Sequence, residues 1–296
     1  MLTDLIKLQM DIIGARGELA ISMLGSSWLD RAAPSVSKPA AVLLLPGFLA
    51  SGRSLLRLNK FLVRHGWLAE TWGQGRNMGP RGKGWVRHLD ALELILRDRI
   101  EALADQSSGP VALVGQSLGG VYARDLARRF EPWVDRVITL GSPTFHPYRH
   151  ERHNRVIGSV GEWLSRQSAS ELAGREGLLH LDADQPALPL VAIHSPLDGI
   201  VDERSCFIPD YLVANSGSKA PRENIRVVST HIGMNASVWV WLAIADRLAQ
   251  PRDNWQPFDP GRYLRGPLAP VARLVYPLQN LKQQTKSVRR FVELSQ

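Results

Sequence analysis

One serine in the sequence stands in a setting that suits nucleophilic chemistry. Ser117 lies between Gly115 and Gly119, after the apolar run 111–114 and before a segment of helical character, 121–130. A chain that leaves a buried strand, turns sharply and enters a helix exposes the hydroxyl at the apex of the turn. Glycines suit such a turn because a side chain would collide with neighbouring backbone. The sequence therefore predicts a nucleophile at Ser117.

A serine hydroxyl is a weak nucleophile at neutral pH, so it needs an imidazole to take its proton and a carboxylate to orient that imidazole. His231 follows the last predicted strand, 225–228, and Asp198 follows a strand that ends at His194. The nucleophile, the acid and the base thus each follow a strand. Their chain order, serine, aspartate and then histidine, is the one that accompanies a nucleophile in a turn from strand to helix. We predict that Ser117, Asp198 and His231 form a catalytic triad.

Other residues compete for the acid and base roles. Asp202 lies four residues after Asp198 and is an alternative acid, although its position also suits a helix cap. Asp198 is favoured because it lies nearer the strand end, in a turn with Gly199. His194 also ends a strand, but it precedes both aspartates, and a packed position at the strand end is its simpler interpretation.

Acyl transfer also needs backbone N–H groups that stabilise the negative charge of the tetrahedral intermediate. One donor is the residue after the nucleophile, Leu118, and the other comes from the loop that begins Pro46-Gly47 after the first core strand. Proline has no N–H, and glycine lets the loop turn toward the site. We predict an oxyanion hole made by Phe48 and Leu118, with Leu49 as the alternate to Phe48.

Apolar strands alternate with amphipathic helices before residue 144 and again after residue 189. This alternation predicts an α/β fold with a doubly wound, mostly parallel sheet, in which ligands bind beyond the carboxyl ends of the strands. Residues 144–189 contain no convincing strand, and long insertions of this kind commonly carry function. We interpret this segment as a helical lid over the site.

The remaining segments predict a chain in several parts. Residues 1–39 predict an N-terminal helix and a linker rich in proline and serine, and residues 40–250 contain the core with its lid. Residues 251–296 predict a C-terminal wrap whose aromatic rings pack on the core, followed by a basic amphipathic helix at 278–294. Such a helix suits peripheral contact with an anionic membrane, although packing against protein is the more common role.

Composition narrows the classes of partner. The net charge is +8, but the basic residues are scattered and not interleaved with aromatic residues, so we expect no nucleic acid partner. A single cysteine favours the cytosol. No apolar run approaches the ~20 residues that span a bilayer, and the first residues lack the apolar stretch of a signal peptide. We expect a cytoplasmic protein, with membrane contact limited to the surface.

The predicted lid contains a histidine cluster and apolar side chains. The spacing of His146, His150 and His153 is not a zinc pattern, and no cysteine lies among them, so we expect neither a metal nor a cofactor. Apolar residues of the lid and the loops suit an acyl chain rather than a charged substrate. The predicted substrate-binding residues are Leu49, Met78, Phe145 and Trp163.

The chain resembles the esterases and lipases of the α/β-hydrolase superfamily over residues 40–250. The matching pieces are Leu45-Pro46-Gly47-Phe48, Gly115-Gln116-Ser117-Leu118-Gly119-Gly120, Thr139-Leu140-Gly141-Ser142-Pro143, Asp198-Gly199-Ile200-Val201 and His231-Ile232-Gly233-Met234. The resemblance implies the nucleophile Ser117, the acid Asp198, the base His231, an ester or lipid substrate, and no cofactor or metal. Leu45 and Pro46 stand where true lipases frequently have histidine and glycine, which leaves a general carboxylesterase open.

The sequence thus predicts a serine hydrolase that cleaves carboxylic esters of apolar acyl groups through an acyl-serine intermediate. An acyltransferase with the same triad is an alternative, because the same intermediate can pass its acyl group to an alcohol. A non-catalytic membrane-docking or scaffold protein is another, because a fold alone does not determine a function.

Overall fold

One parallel sheet forms the centre of the protein. The computed structural model describes residues 2–79, 85–143, 186–208 and 219–277. Its strands, in chain order, are β1 (Ala41–Leu45), β2 (Leu68–Thr71), β3 (Val111–Gln116), β4 (Val134–Leu140), β5 (Leu190–His194) and β6 (Arg222–Arg226). They form a sheet of 6 strands in the order β2-β1-β3-β4-β5-β6, and each neighbouring pair is parallel. Because the chain moves outward from β1 first to one side and then to the other, the prediction of a doubly wound parallel sheet is confirmed.

Helices cover both faces of this sheet. In chain order the described helices are α1 (Leu2–Ala32), α2 (Leu56–Arg64), α3 (Trp85–Ser107), α4 (Leu118–Arg129), α5 (Glu203–Cys206), α6 (Val238–Ala249) and α7 (Ala269–Val275). Val42 and Leu44 of β1 belong to the core that α2 and α6 cover, whereas Leu43 and Leu45 belong to the core under α3 and α4. Since both faces are covered, β1, β3 and β5 are buried along their whole length, which explains their continuous apolar sequences.

The last strand begins earlier than the sequence predicts. The apolar run 225–228 marks it in the sequence, but β6 spans Arg222–Arg226. β6 is last in the strand order and pairs with β5, so its polar side chains find partners at the margin of the sheet. The Arg226 guanidinium, for example, donates to the carboxylate of Glu203 at 2.7 Å. A search for apolar residues therefore misses the first part of this strand.

Several predicted segments lie outside the described residues. Most of the predicted lid at 144–189 lies there, with its histidine cluster, and so does the predicted basic helix at 278–294. At the N-terminus, α1 occupies most of the segment 1–39 that predicts a helix and a linker. Within the described ranges, no helix combines the length and the apolar character that a membrane crossing requires.

The described part of the segment after α6 folds back onto the core. The rings of Trp255, Phe258 and Tyr263 pack against the core that α2 and α6 cover. Arg247 of α6, whose side chain is 0% exposed, forms ion pairs with its neighbour Asp246 and with Glu223 of β6, and it donates to the carbonyl oxygen of Gln256 in this segment at 2.8 Å. Its guanidinium also lies 5.0 Å from the centroid of the Trp255 ring and 5.8 Å from that of Phe258. A buried cation thus holds the C-terminal wrap in place.

Replacement of Arg247 tests this arrangement. Arg247→Met removes the cation and leaves the carboxylates of Asp246 and Glu223 uncompensated inside the protein. We expect the free energy of unfolding to fall by about 3–5 kcal/mol, measured by urea denaturation. The control is Arg252→Met, because that side chain is 45% exposed and its loss should change the free energy by less than about 0.5 kcal/mol. Equal effects of the two substitutions would contradict the role of the buried ion pairs.

Candidate active site

Ser117 occupies a strained turn between β3 and α4. Its backbone has φ 51° and ψ −122°, a left-handed conformation that a residue with a side chain rarely adopts. The neighbouring backbone is crowded: a Cβ at Gly115 would lie 2.3 Å from the carbonyl oxygen of Gly119, and one at Gly119 would lie 2.2 Å from that of Leu45. The turn therefore needs glycine at both positions. Ser117 itself is half-buried, at the N-terminal end of α4.

The loops after β5 and β6 bring an aspartate and a histidine into contact. Nδ1 of His231 lies 2.7 Å from Oδ2 of Asp198, and both side chains are buried. The other carboxylate oxygen, Oδ1, accepts the backbone N–H groups of Ile200 at 2.9 Å and Val201 at 2.7 Å. These bonds fix the carboxylate. A carboxylate at this distance also selects the ring tautomer with its proton on Nδ1, so that Nε2 is the basic nitrogen.

The backbone around His231 is tied to the serine turn. Gln116, which directly precedes Ser117, donates from Nε2 to the carbonyl oxygen of His231 at 2.8 Å. The loop after β4 also approaches the pair, since a Cβ at Gly141 would lie 2.8 Å from Oδ2 of Asp198 and 3.0 Å from Nδ1 of His231. The connections that follow β3, β4, β5 and β6 thus meet at one place at the carboxyl edge of the sheet, as a parallel sheet requires.

The surroundings of His231 favour its protonated form. Burial alone would lower the pKa of the ring, but the charge and hydrogen bond of Asp198 and the charge of Asp11 together raise this pKa above its usual value. An imidazole beside a carboxylate is a stronger base than a solvated one. The ring is therefore suited to accept a proton from a neighbouring hydroxyl.

The loop after β1 packs directly against the serine turn. A Cβ at Gly47 would lie 3.2 Å from Cβ of Ser117, closer than side chains ordinarily pack, so glycine lets this loop approach the serine turn. The N–H of Leu49 donates to the carbonyl oxygen of Asn77 at 2.6 Å, so this group already has an acceptor and the alternate oxyanion donor is not supported. The donor that the sequence predicts from this loop is Phe48.

Asn77 is a residue that the sequence analysis missed. Its side chain is buried, with Nδ2 donating to the carbonyl oxygen of Pro46 at 2.8 Å and Oδ1 accepting the N–H of Gly79 at 3.1 Å. Its backbone N–H also donates to the carbonyl oxygen of Ala50 at 2.7 Å. Asn77 therefore holds the loop 46–50 at both ends. The only sequence signal was one amide side chain in a loop rich in glycine.

The predicted apolar substrate residues are partly described. The side chains of Phe48 and Leu118 both approach Gly79. A Cβ at Gly79 would lie 3.0 Å from Cε2 of Phe48 and 3.4 Å from Cδ2 of Leu118. Leu49 is 50% exposed at this edge of the sheet, and Met78 is half-buried beside Gly79. Phe145 and Trp163 of the predicted lid lie outside the described residues.

The competing candidates have other partners. The ring of His194 is buried, with Nδ1 3.0 Å from Oε1 of Glu203, which is a packed position at the end of β5. Asp202 caps α5 by accepting the N–H of Arg204 at 2.8 Å. Across the ranges that the structure describes, no group of histidine, cysteine and carboxylate side chains has the arrangement of a metal site.

The strand order and the position of these residues define a class of protein. A serine in a strained turn after β3, an aspartate after β5 and a histidine after β6 of one parallel sheet are the features of the α/β-hydrolase fold. The chain therefore has the α/β-hydrolase fold, which is the fold that the sequence resemblance implies.

Several solved structures are similar to this chain. The acylaminoacyl peptidase of Pyrococcus horikoshii matches with a TM-score of 0.52 and 10% identity, over 79% of this chain and 41% of that chain. A soluble variant of the monoglyceride lipase of Saccharomyces cerevisiae, in complex with a substrate analog, has a TM-score of 0.48 and 14% identity, over 73% and 88%. A putative hydrolase of the alpha/beta superfamily from Xanthomonas campestris pv. campestris has a TM-score of 0.42 and 16% identity, over 71% and 98%. No protein-family model and no curated protein matches the sequence. At these identities the likeness concerns the fold alone.

The pKa of His231 provides a test of the site that needs no substrate. We expect an NMR titration of the ring to give a pKa above the unfolded-state value of about 6.5, and Asp198→Asn to lower this pKa. Because the folded-state pKa is the higher one, the pair stabilises the fold fully below the unfolded pKa. This stabilisation is lost as the pH rises through the folded-state pKa.

The matched control for this titration is Asp202→Asn, which changes an exposed aspartate of the same loop. It should leave the pKa of His231 unchanged. A ring pKa at or below its usual value in the unchanged protein would contradict the contact between Asp198 and His231.

Proposed function

We propose that this protein is a serine hydrolase that cleaves carboxylic esters with an apolar acyl group. The observation that carries the proposal is the buried pair of Asp198 and His231, 2.7 Å apart, tied through Gln116 to the turn that presents Ser117. A base that is oriented by an acid and held beside a hydroxyl is the arrangement that activates a serine.

The first half of the reaction acylates the enzyme. Oγ of Ser117 attacks the ester carbonyl carbon while its proton passes to Nε2 of His231, and the Asp198 carboxylate stabilises the imidazolium that forms. When the tetrahedral intermediate collapses, the imidazolium gives this proton to the oxygen of the alcohol. The bond between carbonyl carbon and alcohol oxygen breaks, and the acyl group stays on Ser117.

The second half releases the acid. His231 takes a proton from water, the resulting hydroxide attacks the acyl carbon, and the proton returns to Oγ of Ser117 as the carboxylic acid leaves. If an alcohol took the place of water, the same steps would transfer the acyl group to it. Product analysis with and without an added alcohol separates these two outcomes.

Backbone N–H groups of Phe48 and Leu118 are the proposed donors to the oxyanion. Leu118 is the first residue of α4, where an N–H has no acceptor within its own helix. The contact of Gly47 with Ser117 supports the choice of Phe48, because it brings the loop after β1 against the serine turn. The positive end of the α4 dipole adds to the stabilisation of the negative charge.

The apolar character of the surrounding loops supports an apolar acyl group. Phe48, Leu49, Met78 and Leu118 all belong to segments next to the serine turn, and Phe145 and Trp163 of the predicted lid would extend this surface. An acyl chain gains free energy from contact with such side chains, whereas a charged group would lose its hydration there. Such a substrate also fits the proposed location of the protein, in the cytoplasm with peripheral membrane contact through residues 278–294.

The nucleophile is tested by Ser117→Ala. We expect the kcat for a chromogenic short-chain ester to fall at least about a thousandfold, and covalent labelling by a fluorophosphonate to disappear. Ser54→Ala is the matched control. In the described part of the chain, the Ser54 hydroxyl donates to the carbonyl oxygen of Ser51 in its own turn and not to the site. This variant should keep both activities. Labelling that survives Ser117→Ala would overturn the proposed nucleophile.

The oxyanion loop is tested by Asn77→Ala. Loss of the side-chain bonds to Pro46 and Gly79 loosens the start of the loop, although the backbone bonds to Leu49 and Ala50 remain, so the N–H of Phe48 is held less firmly. We expect kcat to fall by up to about a hundredfold with little change in KM, because this donor acts mainly in the transition state. Asn59→Ala is the control: that amide also holds a backbone carbonyl, of Ala69 at 2.7 Å, but on β2. If both variants retained full kcat, Asn77 would have no role in catalysis.

A further inference from the structure

Over residues 10–23, the N-terminal helix α1 buries polar side chains and exposes apolar ones, whereas Leu29 near its end belongs to the core. Met10, Ile13 and Met23 are 66%, 67% and 64% exposed, whereas Asp11 and Ser22 are 1% and 2% exposed. An amphipathic helix usually packs its apolar side on protein. The structure shows the reverse. Since burial of a carboxylate is costly without hydrogen bonds, the buried side of α1 must provide compensating contacts.

Asp11 finds these contacts in the two loops that hold the candidate acid and base. Its Oδ2 accepts the backbone N–H of His231 at 2.8 Å and that of Gly199 at 3.1 Å. Its Oδ1 accepts the N–H of Ile232 at 2.8 Å. Gly199 directly follows Asp198, so one buried carboxylate joins the loop of the acid to the loop of the base.

Glu18 extends the same attachment along α1. Its Oε1 accepts the N–H of Thr230 at 2.6 Å and the hydroxyl of Thr230 at 2.9 Å, and its Oε2 accepts the hydroxyl of Ser229. The helix lies so close to this loop that a Cβ at Gly14 would be 2.3 Å from Cγ2 of Thr230. The loop that carries His231 is therefore held by carboxylates from outside the sheet.

We propose that Asp11 is a positioning residue of the active site, which sets the place of the His231 ring relative to Asp198 and Ser117. The inference rests on the proposed function, since it assigns Asp11 a part in the same reaction. The segment 227–230 before His231 has no regular secondary structure that would orient the ring. Without Asp11, the N–H groups of His231 and Ile232 would lose their acceptor, and the ring would be held only by Asp198 and, through the backbone, by Gln116.

The charge of Asp11 has a second effect, on the protonation of the ring. The charged groups that raise the pKa of His231 are Asp198, from the loop after β5, and Asp11, from α1. Two other titratable groups lie close to these loops. They are Glu18, which bonds Thr230, and Cys206, near Asp198, and burial raises the pKa of both. The serine turn contributes the neutral side chains of Gln116 and Ser117.

The pH profile therefore distinguishes positioning from a merely structural role. His231 must be neutral to accept the proton of Ser117, so kcat/KM rises as the pH passes through the pKa of the ring. Asp11→Asn removes a negative charge near the ring and should lower that pKa, which shifts the rising limb to lower pH. Asp11→Glu keeps the charge but displaces the carboxylate, so the limb should stay in place while kcat falls.

The experiment compares Asp11→Asn, Asp11→Glu and the control Asp30→Asn in the full chain. Asp30 lies on the same helix, where it pairs with Arg64 at 3.0 Å. We expect both Asp11 variants to lose about tenfold or more in kcat for the short-chain ester, with KM nearly unchanged. Asp30→Asn should retain the kcat and the pH profile. Urea denaturation of each variant reports whether the assayed protein is folded.

Clear outcomes would overturn the proposal. The proposal is overturned if the Asp11→Asn variant is folded and has the kcat and the pH profile of the unchanged protein. A loss of stability with no change in kcat per folded molecule would also overturn it, because Asp11 would then be structural only. If Asp11→Asn does not fold, Asp11→Glu decides through kcat alone: a folded Asp11→Glu with the kcat of the unchanged protein would overturn the proposal.

Failure of the proposed function gives a different result. The unchanged protein would then turn over no ester and would show no fluorophosphonate label that depends on Ser117. The NMR titration of His231 still tests Asp11 in that case. Asp11→Asn should lower the ring pKa and Asp30→Asn should not, and an unchanged ring pKa in folded Asp11→Asn would reject the proposal.

Discussion

The hydrogen bond between Asp198 and His231 is the interaction on which the site depends. Its partners lie in loops that follow β5 and β6, and the pairing of His194 with Arg226 places the ends of these strands side by side. The bond can form only because neighbouring parallel strands end at the same edge of the sheet. It also determines the chemistry of the ring, because the carboxylate selects the tautomer and raises the basicity of the imidazole.

The serine turn is maintained by close packing of backbone against backbone. Gly115 and Gly119 let α4 approach β1 and β3 at distances that no side chain permits, and this approach supports the left-handed conformation of Ser117. Gln116 then links the turn to the loop of His231. Strain at one residue is thus balanced by many ordinary contacts around it, which is how a folded protein maintains an unfavourable backbone conformation.

Buried charges hold together parts of the chain that the sheet does not organise. Asp11 and Glu18 attach α1 to the loop before α6, and Arg247 attaches the C-terminal wrap to β6. In both places each buried charge has several hydrogen-bond partners, so its burial is tolerated. Such contacts are directional, unlike apolar packing, and they set the position of a loop more narrowly than apolar packing alone does.

Much of the core could be predicted from the sequence, because its signals are local. Continuous apolar runs mark β1, β3 and β5, and the glycines around Ser117 mark the turn. The rule that parallel strands end at one edge then brings Asp198 and His231 toward Ser117 without any knowledge of distances. The polar start of β6 was missed, since a strand at the margin of a sheet does not need apolar residues at each position.

By itself, the sequence determined the fold class, the serine turn and the set of polar residues at the strand ends, because local patterns specify these features. Only the tertiary structure decided that Asp198, rather than Asp202, contacts His231, and that Asn77 holds the loop after β1. It alone decided which side of α1 is buried, since periodicity reveals that a helix has two sides but not which one faces the protein. The physical reason is distance along the chain: Asp11 and His231 are 220 residues apart. A hydrogen bond between them leaves no local pattern in the sequence.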